Sequence, residues 1–134
     1  MIERTTDIDK INSVLKHPDI WPRISDVSQS IDDFIPPMGD NHYLYEDGVL
    51  FILHPDGDNL RIHANVLPES RGKAKEAAAQ ALKYGFNALK AAKIVAKIPE
   101  QYGNVYGFAK KFMKDDGITN GEHNLSLRAE EWAL

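Results

Sequence analysis

The first 41 residues combine one short helical pattern with an irregular, proline-rich stretch. After the candidate N-cap residues Thr6 and Asp7, apolar side chains recur at helical spacing until His17-Pro18; they are Ile8, Ile11, Val14 and Leu15. A hydroxyl or carboxylate at the N-cap and a proline beyond the last turn are usual helix boundaries. We predict a helix there, a short extended segment before it at residues 2–4, and irregular chain over residues 18–41 with a weak second helix at residues 25–33.

From His42 onward the spacing of apolar residues changes to that of β-strands. Three apolar runs, 42–46, 49–54 and 60–67, are separated by Asp-Gly turn signals. This pattern predicts an antiparallel meander. Because side chains alternate between the two faces of a strand, the third strand has one apolar and one polar face. The apolar face would carry Leu60, Ile62, Ala64 and Val66, and the polar face Arg61, His63 and Asn65.

The second half of the chain alternates strands with helices. An apolar stripe over residues 71–92 predicts a long amphipathic helix, residues 93–98 a strand, residues 104–114 another helix, and an Asn-Gly turn a final hairpin. A strand-helix-strand crossover joins parallel strands. Strands 60–67 and 93–98 should therefore be adjacent, parallel and splayed at their C-terminal ends. We predict an α/β (α+β) fold with one mixed sheet, an antiparallel meander followed by a β-α-β-α-β unit.

The composition narrows the class of protein. The chain of 134 residues matches one domain of ordinary size, and 43% hydrophobic with 27% charged residues is the balance of a globular protein. The absence of cysteine excludes disulfides, thiolate zinc sites and a cysteine nucleophile. No apolar run approaches the ~18 residues of a membrane helix, and we expect no export signal. One domain over residues 1–134, cytoplasmic and without a membrane partner, is the expectation.

Charge is divided unevenly along the chain. Residues 1–60 hold 4 basic and 12 acidic groups, residues 61–114 hold 11 and 3, and residues 115–134 hold 1 and 5. The middle segment is therefore a basic island. Such an island attracts a polyanionic ligand, either nucleic acid or a phosphorylated cofactor, or it is simply a solvated lysine surface.

Two passages resemble those of the GNAT N-acetyltransferase superfamily. The run Val66-Leu67-Pro68-Glu69-Ser70-Arg71-Gly72-Lys73 is similar to the GNAT passage that ends the fourth strand and opens the acetyl-CoA helix. Asn104, followed by a helix and Asp116-Gly117-Ile118, is similar to the GNAT pattern of an asparagine, a helix and Gly-Phe. With the element order, these passages make essentially the whole chain resemble a divergent GNAT domain.

The resemblance implies acetyl-CoA as co-substrate and a primary amine, on a small molecule or a peptide, as acetyl acceptor. In the family a backbone amide of the fourth strand, here around Val66 and Leu67, polarises the thioester carbonyl. The residues that the resemblance assigns to the co-substrate are Val66, Leu67, Arg71, Gly72, Lys73, Ala74, Lys75 and Asn104.

The chain departs from the GNAT pattern in two places. Ala74 and Glu76 stand where the phosphate loop has glycine and a second small residue, so the loop would depend on the positive charge of its basic residues. Phe112 or Met113 stands where the family carries a tyrosine that protonates the leaving thiolate. Together these changes predict weak or absent activity towards generic amines.

The candidate general base is His63, with Glu69 second. Histidine has an ordinary pKa near 6.5, which suits proton transfer at neutral pH. A strand histidine without a special role is the alternative interpretation. The five histidines include no His-x-x-x-His or His-Glu-x-x-His spacing, so a metal site would have to be assembled from separate strands, and we predict none.

A narrower resemblance supports a second function. The run His17-Pro18-Asp19-Ile20-Trp21-Pro22-Arg23-Ile24-Ser25-Asp26, with Phe34-Ile35-Pro36-Pro37 beyond it, resembles small bacteriophage-encoded GNAT-like proteins. This implies the host cytoplasm or the virion as location, and phage structural proteins as partners. The alternatives are thus an acetyltransferase that binds acetyl-CoA between strands 60–67 and 93–98, or a catalytically silent assembly protein. Nucleic-acid binding ranks third, because no aromatic and basic interleaving supports it.

Overall fold

The computed structural model describes residues 2–25 and 29–132. The strands are β1 Glu3–Thr5, β2 His42–Glu46, β3 Val49–Asp56, β4 Asn59–Val66, β5 Lys93–Pro99, β6 Lys114–Thr119 and β7 Glu122–Arg128. The helices are α1 Ile8–Leu15, α2 Trp21–Ile24, α3 Ala74–Asn87, α4 Gly103–Ala109 and α5 Ala129–Trp132. A 3-10 helix, Pro68–Lys73, leads directly into α3.

The strands form one seven-stranded mixed sheet in the order β1-β2-β3-β4-β5-β7-β6. Strands β4 and β5 are parallel, with Leu60 opposite Ile94 and Arg61 opposite Val95. Strand β7 lies between β5 and β6 and is antiparallel to both. The predicted fold class and the parallel pairing of β4 with β5 are confirmed. The splay of their C-terminal ends stays a prediction.

The described chain divides into two compact units. The first comprises the described residues up to His54 together with His63–Ala81, and the second comprises Pro55–Ile62 and the described residues from Leu82 onward. A single domain over residues 1–134 stays a prediction. No helix in the described ranges 2–25 and 29–132 is long and apolar enough to cross a membrane.

The first unit is organised around helix α1. The Asp7 carboxylate accepts hydrogen bonds from the amides of Asp9 and Lys10, so Asp7 rather than Thr6 is the N-cap. The apolar side of α1 joins a buried cluster consisting of Ile11, Val14, Leu15, Ile20, Tyr43 and Leu50. Helix α2 ends before the predicted second helix at residues 25–33, of which residues 26–28 lie outside the described chain.

Helix α3 confirms the long amphipathic pattern, although it is shorter than the predicted 71–92. The buried residues of its stripe are Ala74, Ala77, Ala78, Ala81, Leu82 and Phe86. The chain before Ala74 is also helical, but in the tighter 3-10 form. Small side chains along this stripe allow other elements to pack closely against the helix.

The predicted helix over residues 104–114 is wrong in its length. Helix α4 ends at Ala109, and the amides of Phe112 and Met113 both donate to the Ala109 carbonyl as the chain turns. Strand β6 then pairs with β7 from Lys114 onward, opposite Ser126. The chain leaves the helix where β6 begins to pair with β7, an interaction that helical periodicity does not report. Only Met113 is buried among the apolar residues predicted to form the buried stripe of this helix, which are Val105, Phe108, Ala109, Phe112 and Met113.

Candidate functional site

The segment that joins β4 to α3 presents basic residues at the protein surface. Arg71, Gly72 and Lys73 are exposed on the 3-10 helix, and Lys75 is exposed on the first turn of α3. A Cβ atom added at Gly72 would meet no atom within 4 Å, so the backbone there is open to an approaching group. An exposed backbone flanked by guanidinium and ammonium groups suits a phosphorylated ligand.

Two backbone amides of this segment already have hydrogen-bond partners. The Leu67 amide donates to the Gly48 carbonyl over 3.0 Å, and the Ala74 amide donates to the Arg71 carbonyl. Ala74 is also only 7% exposed. The contributions of Leu67 to the thioester carbonyl and of Ala74 to a phosphate stay predictions. Both amides are bonded within the chain, which continues as a 3-10 helix after Leu67.

The β2–β3 turn holds this segment in place. Asp47 and Gly48 have φ values of 41° and 84°, as the predicted tight turn requires. The buried Ser70 hydroxyl donates to the Asp47 carbonyl over 2.6 Å, and Lys73 Nζ lies 3.0 Å from Asp47 Oδ2. Asp47 therefore neutralises part of the charge of a candidate phosphate ligand, Lys73.

Gly48→Ala should destabilise the protein much more than Gly57→Ala. Both glycines have positive φ, but an added Cβ would overlap Ser70 Oγ at Gly48 and would meet no atom within 4 Å at Gly57. We expect a loss of unfolding free energy of about 3 kcal/mol at Gly48, from backbone strain and overpacking together, and of about 1 kcal/mol at Gly57 from strain alone. Urea unfolding followed by circular dichroism measures both. Equal losses would show that the contact between the turn and Ser70 contributes nothing.

Strand β4 carries the candidate base, and exposure differs among the residues of each face. On the predicted polar face, His63 is exposed, Arg61 is half-buried and Asn65 is buried. Ala64 is exposed although it was expected on the apolar side. Alternation correctly places residues on the same face. It does not reveal how far other elements cover each face.

His63 is paired with a second histidine from β3. The Nε2 atoms of His54 and His63 lie 2.9 Å apart, and the two rings are nearly parallel, with an interplanar angle of 10°. Arg61 forms a separate pair with Asp56, at 2.8 Å. A hydrogen bond between two imidazoles requires a proton on one Nε2 and a lone pair on the other. The candidate base His63 is therefore either the donor or the acceptor of a hydrogen bond with His54.

The second unit contains a separate polar cluster on α4, β6 and β7. The Tyr106 hydroxyl donates to Asp115 Oδ2, and its ring stacks on His123 with centroids 3.7 Å apart. The hydrogen bond to the Asp115 carboxylate, the largest cause, raises the pKa of Tyr106, and the same bond lowers the pKa of Asp115. Tyr106 thus stays protonated at neutral pH, with its hydroxyl committed to Asp115.

The structure brings together some of the sequence-predicted residues and not others. Arg71, Gly72, Lys73 and Lys75 share one short segment, and Glu69 is exposed at the start of that segment. Asn104 is exposed on α4, in the second unit.

Sequence reasoning missed Asp47 and His54 as neighbours of these predicted residues. For His54 a signal existed. It lies nine residues before His63 around the Gly57-Asp58 turn, a spacing typical of diagonal cross-strand neighbours.

Solved structures with the same fold include acetyltransferases. A spermidine N-acetyltransferase from Vibrio cholerae, in complex with CoA and spermine, aligns with a TM-score of 0.76 and 13% identity, over 100% of this chain and 98% of that one. A domain from Methanocaldococcus jannaschii aligns with a TM-score of 0.70 and 14% identity, over 96% and 97% of the two chains. A GNAT-family acetyltransferase from Bacillus anthracis is 25% identical, with a TM-score of 0.57 over 69% and 68%.

Sequence comparison alone finds no relative: no protein-family profile and no curated protein matches the chain. The likeness therefore rests on the backbone architecture, which extends over nearly the full length of both chains in the Vibrio alignment. The architecture confirms the GNAT fold expected from the sequence.

Proposed function

We propose that this chain, which has the fold of the GNAT superfamily, is an acetyl-CoA-dependent N-acetyltransferase that acts on a primary amine. The observation that carries the proposal is the GNAT fold itself, shared with a spermidine N-acetyltransferase whose structure holds CoA and spermine. The exposed basic segment at the start of α3 supports it, because that segment follows β4 at the point where the resemblance places the phosphates of acetyl-CoA.

In the proposed site, side chains rather than the backbone amides of an open loop bind the phosphates of acetyl-CoA. Arg71, Lys73 and Lys75 are all exposed, and Lys73 also pairs with Asp47. Gly72 leaves room for a phosphate to approach the backbone closely. Charge-assisted hydrogen bonds from these groups would replace the amide contacts that the 3-10 helix uses internally. Since the Leu67 amide is bonded to Gly48, the proposal gives the thioester carbonyl to the amide of Val66.

The chemical part of the proposal makes His63 the general base, with Glu69 as the second candidate. His63 takes one proton from the substrate ammonium, and the neutral amine nitrogen bonds to the thioester carbonyl carbon. The carbon-sulfur bond then breaks with departure of the CoA thiolate, and the nitrogen loses its second proton through solvent to that thiolate, which leaves the neutral amide and the CoA thiol. A thiol with a pKa near 8.5 leaves as a thiolate without a strong acid. The site therefore tolerates Phe112 and Met113 in place of a tyrosine, but at a rate below the usual enzyme median of about 10 s⁻¹.

A catalytically silent assembly protein is the second candidate function. It is favoured by the continuous 3-10 helix over Pro68–Lys73 and by the internal bond of the Ala74 amide, both of which remove groups that an acetyl-CoA site uses. The two candidate functions differ in whether the protein binds acetyl-CoA and transfers its acetyl group.

Acetyl-CoA should raise the melting temperature of the purified protein. A ligand that binds only the folded state at 100 times its dissociation constant stabilises it by about 2.7 kcal/mol. Dephospho-CoA is a matched control that lacks one phosphate. CoA release over polyamines, aminoglycosides and lysine peptides then tests turnover. No shift and no release would reject the enzyme in favour of the assembly protein, whereas a shift without release would leave a binding protein.

A further inference from the structure

Two histidines from neighbouring strands meet at the surface of the first unit. His54 of β3 and His63 of β4 approach through their Nε2 atoms, which are 2.9 Å apart, and the ring centroids are 5.0 Å apart. His63 is exposed and His54 is half-buried. Two imidazole nitrogens this close to each other and to solvent can bind one ion together, which neither histidine can do alone. We propose that His54 and His63 form a two-histidine binding site for a divalent transition-metal ion, with Cu²⁺ as the preferred ion.

The donor atoms select this class of ion. Neutral imidazole is a favoured ligand of copper, nickel and zinc, whereas magnesium and calcium take oxygen ligands. Among first-row divalent ions, affinity for nitrogen sites rises to a maximum at Cu²⁺. The described parts of the chain contain no group of three or more His, Cys, Asp or Glu side chains able to hold a metal. The ion therefore has two protein ligands, and solvent water completes its coordination.

The separation of the donor atoms favours a square arrangement. Two metal-imidazole bonds of about 2.0 Å at a right angle place their nitrogens about 2.8 Å apart, whereas a tetrahedral angle places them about 3.3 Å apart. In the metal-free pair the nitrogens are 2.9 Å apart, so their separation has to change less to reach the first value than the second when the rings turn towards an ion. Adjacent corners of a square are the positions that Cu²⁺ and Ni²⁺ prefer for nitrogen donors.

Binding requires a change in the proton shared by the two rings. Without metal, one Nε2 carries the hydrogen that the other accepts. When the ion arrives, both Nε2 atoms must offer a lone pair, so the ring that donated takes its proton at Nδ1 instead. Each ring also turns so that both lone pairs point at the ion, which the exposure of His63 allows. The backbone of the two strands stays in place.

The test is a titration of the full, untagged chain with Cu²⁺ at pH 7.5, followed by electron paramagnetic resonance and calorimetry. We expect one bound ion with two equatorial nitrogens. His54→Asn and His63→Asn should each weaken the affinity by at least about tenfold, because the second nitrogen of a chelate binds intramolecularly. Mg²⁺ should not compete. His17→Asn is the matched control, since His17 is another surface-accessible histidine whose Nδ1 accepts from the Asp19 amide, a contact that asparagine can also make.

The outcomes separate this proposal from the proposed enzyme activity, because copper binding is measured without CoA or an amine. A two-nitrogen spectrum in the wild type and in His17→Asn, lost in both pair variants, supports the site. Unchanged copper affinity in either pair variant, or no binding by the wild type, overturns it. Circular dichroism of each variant must match the wild type, and a variant that fails this check is replaced by His54→Gln or His63→Gln.

Discussion

His63→Ala should lower the rate of acetyl transfer at pH 7 by about 100-fold or more. General bases contribute about 10² to 10⁴ in rate, and His63 is the exposed imidazole on the strand that leads into the basic segment. The measurement is steady-state CoA release with the best amine of the panel, with a chelator present so that metal bound at His54 and His63 does not alter the rate.

The control variants show whether the loss of rate is specific to His63, rather than to Glu69 or to the loss of any histidine. Glu69→Gln tests the second candidate, and it should have a small effect if His63 is the base. His42→Asn is the matched histidine control, since burial, the largest cause, together with the Arg4 charge lowers the pKa of His42, which leaves it neutral at pH 7. Equal rates for wild type and His63→Ala would remove His63 as the base, and a large loss in Glu69→Gln would give that place to Glu69.

Arg71→Glu combined with Lys73→Glu should weaken CoA binding by more than tenfold, which corresponds to about 1.4 kcal/mol. The reason is that the amide of Ala74 is bonded within the chain, so the site depends on side-chain charge. Calorimetric titration with CoA measures the change, and the dependence on salt should be steeper for the wild type than for the double variant.

Asp47→Asn is the control variant, and it should change the CoA affinity in the opposite direction. It removes the carboxylate 3.0 Å from Lys73 Nζ while keeping a similar shape in the turn. Because an exposed ion pair is worth at most about 1 kcal/mol, releasing Lys73 should raise CoA affinity by no more than about fivefold. If charge reversal left the affinity unchanged, the phosphates would bind elsewhere. If Asp47→Asn weakened binding, the turn itself would be part of the site.

Local patterns in the sequence predicted most of the elements of this protein. The cap at Asp7, the Asp47-Gly48 turn and the alanine stripe of α3 involve residues close in the chain, so their physics is readable from spacing. The parallel pairing of β4 with β5 also followed from a general rule on crossovers, and the structure confirms it. The end of α4 did not follow, since a strand pairing distant in sequence determines where that helix stops.

For the candidate site too, the sequence predicted some features and only the structure provided the others. The sequence by itself determined which residues are proposed to carry its chemistry: the basic run at the start of α3 and the histidine on β4. Only the tertiary structure decided their partners, which are Asp47 for Lys73, Gly48 for the Leu67 amide, and His54 for His63. The physical reason is range. Helix and strand periodicity reports contacts within a few residues, whereas these hydrogen bonds join chain positions 9 to 26 residues apart, which meet only after the strands have paired.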